Sequence, residues 1–248
     1  IKAAKFGKHI LCEKSAVLSY NSAKKVIKKC NSNDVRIMEN FVFKSHPQHK
    51  KISDIIKKNT IGKIHTFNGK FGFNLPISTQ NFRFNIKSGG GALNDVGCYL
   101  VSASKMIFKD LPVSIFCNLE INKKLKIDSQ GNIIMLFPNN KTAIISFGYD
   151  NYFQSTYEIW GSKGMIKSER AFNVPPKMEI PLKLYSNDKI KNFMIKPVNQ
   201  FQLTIEKFCK GLNPKVTTNF EKDFLEQALI MDGIRKSSIK NSIIHIKN

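Results

Sequence analysis

Asp95 and Tyr99 stand four residues apart in the stretch "SGGGALNDVGCY", residues 88–99, immediately after three consecutive glycines. If a helix starts near Ala92, this spacing puts a carboxylate and a phenol one turn apart on the same face, and Gly97 between them leaves room for another chain or a ligand. Such a pair is a candidate for catalysis. Both residues also have purely structural uses. An acid in a first turn complements the helix dipole, and a tyrosine on an amphipathic helix belongs by default to the core. The glycines do not make a dinucleotide fingerprint. Asn94 stands where the third glycine of G-x-G-x-x-G would be, and the preceding "QNFRFNIKS" is not a clear buried strand. They allow positive φ and close backbone approach.

Lys14 is the third candidate. It closes "KHILCEK", a short apolar run that reads as a buried parallel strand, and ligands of parallel sheets bind beyond the carboxyl ends of the strands. A lysine there can orient a substrate hydroxyl, or lower the pKa of a nearby tyrosine from its ordinary value of ~10. Its structural alternative is a solvated charge at a strand end.

The elements that must position these residues follow from periodicity. "SYNSAKKVIKKC" predicts a helix capped by Ser19 or Asn21, and "DVRIMENFVF" a second strand. Strand, helix and strand make a βαβ unit, hence a parallel sheet. Two strands do not complete such a sheet, so the first ~45 residues are expected to be the tail end of something larger. His46-Pro47 then opens a helix through "ISDIIKKN". From Lys63 the pattern alternates, with turn signals at Pro138-Asn139-Asn140 and Gly161-Ser162-Lys163-Gly164, which predicts a largely antiparallel sheet. The Asn/Lys-rich stretch near 186–192 reads as a solvated turn. Two amphipathic helices follow, "NQFQLTIEKFCKGL" and "FEKDFLEQALIMDGIRKSS". The fold class expected is α/β plus α+β: the parallel-sheet remnant, then a large, mainly antiparallel open sheet with flanking helices.

Composition narrows the function classes. The chain has 248 residues, 42% of them apolar, which suits a packed globular protein. No apolar run approaches the ~18 residues of a membrane span, and no signal peptide is apparent, so a soluble cytoplasmic protein is expected. The five cysteines are widely spaced and read as reduced thiols. His46 and His49 have no acidic or cysteine ligand beside them, so no metal site is expected. The net charge of +22 raises nucleic acid as a partner. However, only Arg36, Arg83, Arg170 and Arg235 are arginines, and evenly spread lysine lacks the bidentate fork of phosphate and base readers. No specific nucleic-acid binding is expected; attraction of an anionic substrate or cofactor is a milder use of the same field.

Three segments together resemble the Gfo/Idh/MocA family of nicotinamide-dependent oxidoreductases. "GKHILCEKSAVLSYNSAKKV" is similar to its G-K-H-V-x-x-E-K-P strand and helix, "IMENFVFKSHPQ" to the segment after its next strand, and "FRFNIKSGGGALNDVGCYLVSASKMIF" to its active-site helix. The likeness covers essentially the whole chain. The Asp-x-Gly-x-Tyr form resembles the branch of dihydrodiol dehydrogenases, NADP-dependent xylose dehydrogenases and glucose-fructose oxidoreductase. The resemblance implies that residues 1–46 are the C-terminal part of a truncated Rossmann nucleotide-binding domain and 47–248 a substrate-binding and dimerisation α+β domain, with NADP or NAD as cofactor, a sugar or vicinal diol as substrate, and a homodimer paired through the open sheet. It makes Lys14 and Tyr99 the proton-handling pair with Asp95 as their helper, places Glu13 and Lys14 by the nicotinamide, and sets Arg83 in a loop near the cofactor. Two departures carry expectations. Ser15 replaces the family's proline, and a cis bond without proline costs about 2.5 to 4 kcal/mol, which would aim Lys14 differently. The resemblance also implies roughly 80 residues before Ile1, among them the glycine fingerprint. The alternative reading is a non-catalytic remnant that dimerises or binds sugar.

Overall fold

The computed structural model of the protein describes residues 1–78 and 80–246. The chain begins with α1 (Lys2–Lys5), β1 (Ile10–Glu13), α2 (Tyr20–Asn31) and β2 (Ile37–Asn40). β1 and β2 pair in parallel, Ile10 opposite Ile37 and Glu13 opposite Asn40. Ser19 starts α2, its hydroxyl accepting the amide of Ser22, one of the helix's otherwise orphaned donors. The strand expected over "DVRIMENFVF" is shorter than its apolar run, because the chain turns into a 3-10 segment at Val42–Ser45 that buries Val42 and Phe43.

α3 (Pro47–Lys57) begins with proline in its first turn, and the large sheet follows. It comprises β3 (Ile64–Gly72), β4 (Ser114–Asn122), β5 (Ile127–Phe137), β6 (Lys141–Gly148), β7 (Gln154–Gly161), β8 (Gly164–Ser168), β9 (Ile180–Ser186) and β10 (Lys189–Ile195), with α4 (Cys98–Phe108) inserted between β3 and β4. α5 (Gln200–Gly211), α6 (Phe220–Lys240) and the short β11 (Ile244–His245) complete the chain. The strand order is β10-β9-β8-β7-β3-β6-β5-β4-β11. Only the central β3–β6 pair is parallel; the other pairs are antiparallel. The stretch read as a solvated turn near 186–192 is instead the tip and second strand of the β9–β10 hairpin. Only Asn187 and Asp188, both at positive φ, form its turn.

Alternation along the strands divides the sheet into two faces. On β5, Ile133, Met135 and Phe137 are buried, whereas Ile134 and Leu136 point to the exposed face. The buried face carries α4, which is sunk almost completely because it lies between the sheet and α6. α6 also packs on β2 and α2, so a single helix ties the parallel pair to the large sheet. Among the described residues, no helix is long and apolar enough to cross a membrane.

Candidate active site

The entry to α4 is not a regular α-turn. Residues Leu93–Gly97 form a π-helical turn before α4 begins, a local widening that recurs at functional sites. The expected placement of Asp95 and Tyr99 on one face therefore changes. Asp95 turns outward to a cavity of about 600 Å³. The Tyr99 ring turns inward among Phe41, Phe43, Phe71 and Phe172, with centroid separations of 5.4–5.7 Å.

Asp95 is the junction of the site. Its Oδ1 accepts from Lys14 Nζ at 3.0 Å and its Oδ2 from Arg83 Nε at 2.6 Å. Lys14 Nζ also donates to the Asp95 carbonyl at 2.7 Å, so it holds both the side chain and the backbone of the π-turn. The Lys14–Ser15 peptide is cis even without proline. Lys14 is aimed at the helix entry, and its ammonium lies 4.9 Å from the Tyr99 ring centroid. Ser15 Oγ donates to the Asn94 carbonyl at 3.1 Å, a second bond between the end of β1 and the π-turn. Glu13 lines the cavity and accepts from Asn40 Nδ2.

The glycines brace this arrangement. The loop ahead of the π-turn folds back on itself, Gly91 N donating to Arg83 O and Gly90 N to Asn85 O, each at 2.9 Å. Gly91 has φ +118, and a Cβ there would overlap the Asp128 carboxylate, which accepts the Leu93 amide. Glycine is therefore required by packing as well as by backbone conformation. All three glycines line the cavity.

Electrostatics correct one expectation. Lys14 does not bring the Tyr99 phenol down: burial pushes it above its ordinary value, Cys98, Asp95 and Glu13 add to the rise, and Arg83 opposes it. The positive charge of Lys14 is committed to Asp95. Tyr99 thus holds its proton through the neutral range.

Tyr149, which follows β6, is absent from the sequence-based set and lines the cavity. It is 3% exposed. The signal for it was faint: Ile145 and Phe147 point inward on β6 and Tyr149 continues the row, a phenol at the end of a core-facing run. Asn94 was also missed. It donates to the Gly89 carbonyl at 2.8 Å and accepts from Arg235 of α6. His46 and His49 lie elsewhere. His49 Nε2 faces the Ala171 carbonyl at 3.3 Å, so it carries the proton, and Nδ1 accepts from the Tyr157 hydroxyl at 2.8 Å.

Comparison with known proteins adds four findings. Residues 49–167 match the family model of the GFO/IDH/MocA C-terminal domain. The chain is 27% identical over 236 residues to the dTDP-3,4-didehydro-2,6-dideoxy-α-D-glucose 3-reductase of Actinomadura kijaniata, covering 94% of this chain and 70% of that protein. It is 23% identical to D-xylose 1-dehydrogenase (NADP(+)) 2 of Haloferax volcanii, covering 89% of this chain and 67% of the other. Among solved structures, a 3-ketoreductase from Actinomadura kijaniata in complex with NADP and TDP-benzene superposes with a TM-score of 0.89 at 27% identity. That match covers 95% of this chain and 73% of the other.

Proposed function

From the premise that this chain carries a GFO/IDH/MocA C-terminal domain and is an NAD(P)-dependent oxidoreductase, we propose that it transfers a hydride between the nicotinamide and a carbinol or carbonyl carbon of a sugar or vicinal diol. The observation that carries this reading is the meeting of Lys14, at the end of a parallel strand, with Asp95 and Arg83 on the wall of one cavity. The cavity suits the cofactor. Gly89–Gly91 leave backbone open for a flat ring, and Arg83 and Lys87 offer positive charge to phosphate. Glu13 and Lys14 would hold the nicotinamide end, and Arg83 would lie along the loop beside it. When bound, the nicotinamide donates or accepts the hydride.

The remaining steps belong to the chain. In reduction Tyr99 gives its proton to the carbonyl oxygen, and in oxidation its phenolate takes the hydroxyl proton. The ammonium of Lys14, fixed by Asp95, lies 4.9 Å from the Tyr99 ring centroid. Asp95 fixes Lys14 and, with Arg83, offers acceptor and donor positions to neighbouring substrate hydroxyls. The protein pairs with a second copy through the exposed sheet face, where Ile134, Leu136 and Trp160 are 46%, 46% and 64% exposed.

Steady-state assays following nicotinamide absorbance with aldoses, 3-ketosugars and trans-diols test the reading. Tyr99→Phe is expected to lower kcat at least ~100-fold with cofactor affinity intact. A kcat equal to the parent's would remove Tyr99 from the mechanism.

A further inference from the structure

The turn that carries Lys14 belongs to no regular element. Residues 14–18 follow β1 and precede the Ser19 cap of α2, so their backbone polar groups must find partners outside a strand ladder or a helix. All five residues line the cavity of about 600 Å³. The cavity wall supplies one anchor, where the Asn94 carbonyl of the π-turn accepts from Ser15 Oγ at 3.1 Å. The other comes from β2, where Glu39 Oε1 accepts the Ala16 amide at 2.8 Å. Glu39 lies opposite Cys12 in the parallel pair and is not among the described residues lining the cavity.

We propose that Glu39 is a positioning residue: by holding the Ala16 amide it fixes the turn that aims Lys14 at Asp95. The inference rests on the function proposed above and adds a residue that acts from behind the site, without touching substrate or cofactor. Among the described residues, the Glu39 side chain makes no other hydrogen bond, so its polar interaction is given to this turn. The charges that face it are occupied with one another, since Lys44 and Lys105 both pair with Asp223. Burial pushes the Glu39 carboxyl up to about 7, and either protonation state still offers an oxygen to the amide. Lys14 reaches the Asp95 carboxylate and carbonyl, at 3.0 and 2.7 Å, on a flexible stem. Its ammonium therefore keeps one place only if the backbone beneath it does. A misplacement of about 1 Å in a catalytic constellation can lower a rate roughly 100-fold, so an anchor two residues from Lys14 has leverage on turnover.

The test compares Glu39→Leu, which removes the acceptor, with Glu39→Gln, which keeps an acceptor oxygen and drops the charge. Hydrogen–deuterium exchange followed by NMR should show the Ala16 amide exchanging at least ~10-fold faster in Glu39→Leu and at the parent's rate in Glu39→Gln. Steady-state assays should show kcat lowered about tenfold in Glu39→Leu, with the KM for cofactor within about twofold of the parent's, and kcat restored in Glu39→Gln. The melting temperature of Glu39→Leu should match or exceed the parent's, because a desolvated carboxyl gives way to an apolar side chain; a merely structural residue would lose stability and leave kcat unmoved. If Glu39→Leu does not fold, Glu39→Asp, one methylene shorter, withdraws the oxygen and carries the same expectations for exchange and kcat. An unchanged kcat, unchanged exchange at Ala16, or an equal loss of kcat in Glu39→Gln would overturn the inference. The two readings fail separately. A parent without nicotinamide-dependent turnover removes the oxidoreductase function, while exchange at Ala16 still decides whether Glu39 holds the turn. A parent that turns over, matched in kcat by Glu39→Leu, removes the positioning role alone.

Discussion

Asp95 and Asp223 each clamp two cations, and they differ in what surrounds them. Asp95 holds Lys14 and Arg83 at the edge of a cavity, with Arg83 33% exposed. Asp223, on α6, holds Lys44 at 2.6 Å and Lys105, while Lys105 also pairs with Glu226 at 3.0 Å. Lys105 reaches Asp223 from α4, and Lys44 reaches it from the turn after β2, so this cluster staples three segments together. Burial alone would raise the Asp223 carboxyl, but Lys44 and Lys105 outweigh it and hold the group below the usual carboxylate range. The Asp223 cluster saturates its own charges. The Asp95 cluster leaves open volume in front of it, as expected of a site that receives a ligand.

The sharpest way to break this contrast is to remove each carboxylate. Asp223→Ala leaves Lys44, 15% exposed, without its carboxylate and Lys105, 6% exposed, with Glu226 alone, so chemical denaturation should show a loss of about 2–3 kcal/mol. Asp95→Asn keeps a side-chain oxygen as acceptor and leaves the bond from Lys14 to the backbone carbonyl of residue 95 in place, so the loss of stability should be smaller, about 1 kcal/mol. In that variant kcat should instead fall roughly 100-fold, because Lys14 loses its aim. Equal destabilisation by the two substitutions would show that Asp95 is as structural as Asp223.

A smaller effect is expected from the loop that braces Asp95. Gly91→Ala adds a Cβ at φ +118 and pushes it into Asp128, which should cost about 1–3 kcal/mol in thermal unfolding. Gly7, also at positive φ but with no atom near its would-be Cβ, provides the control. Gly7→Ala should cost less, since only backbone strain is added.

How much of this was legible depends on the range of the interactions. The helices and the alternating strands announce themselves through local period, as in β5, where inward and outward residues alternate over most of its length. The Asp95 stretch and Lys14 were visible because strand ends and helix entries are local features. The π-turn was not visible, because the donor to its Asp95 carbonyl is Lys14, 81 residues away. The Asp223 staple was equally hidden, since its lysine on α4 lies 118 residues upstream and the other 179. Tyr149 looked like one more core residue on β6, and only its place on the cavity wall distinguishes it. Long-range polar pairing leaves no periodic trace in a sequence, so the parts of the site that depend on it become legible only in three dimensions.

The smallest expected effect concerns pH, and it arises because buried groups of opposite sense sit in different layers. His46 and His49 are pushed down by burial, to about 4 and about 3, so the folded state holds them neutral. The unfolded chain binds protons there below its ordinary value of ~6.5, and the stability these groups allow is present above that value and lost as pH falls through the folded values. Glu39, whose carboxylate accepts the Ala16 amide beside Lys14, is pushed by burial up to about 7. Its contribution is fully present below the ordinary carboxyl range and is lost as pH rises through about 7. Between these windows the two histidines outweigh the single glutamate, so stability should rise gently toward pH ~6.5 and then slip as Glu39 ionises. Glu39→Gln keeps an acceptor for the Ala16 amide and removes the titration. Denaturation curves of that variant should stay level above pH ~6.5 where the parent declines. A decline that persists in Glu39→Gln would place the responsible group elsewhere and separate the turn at Lys14 from the pH response of the fold.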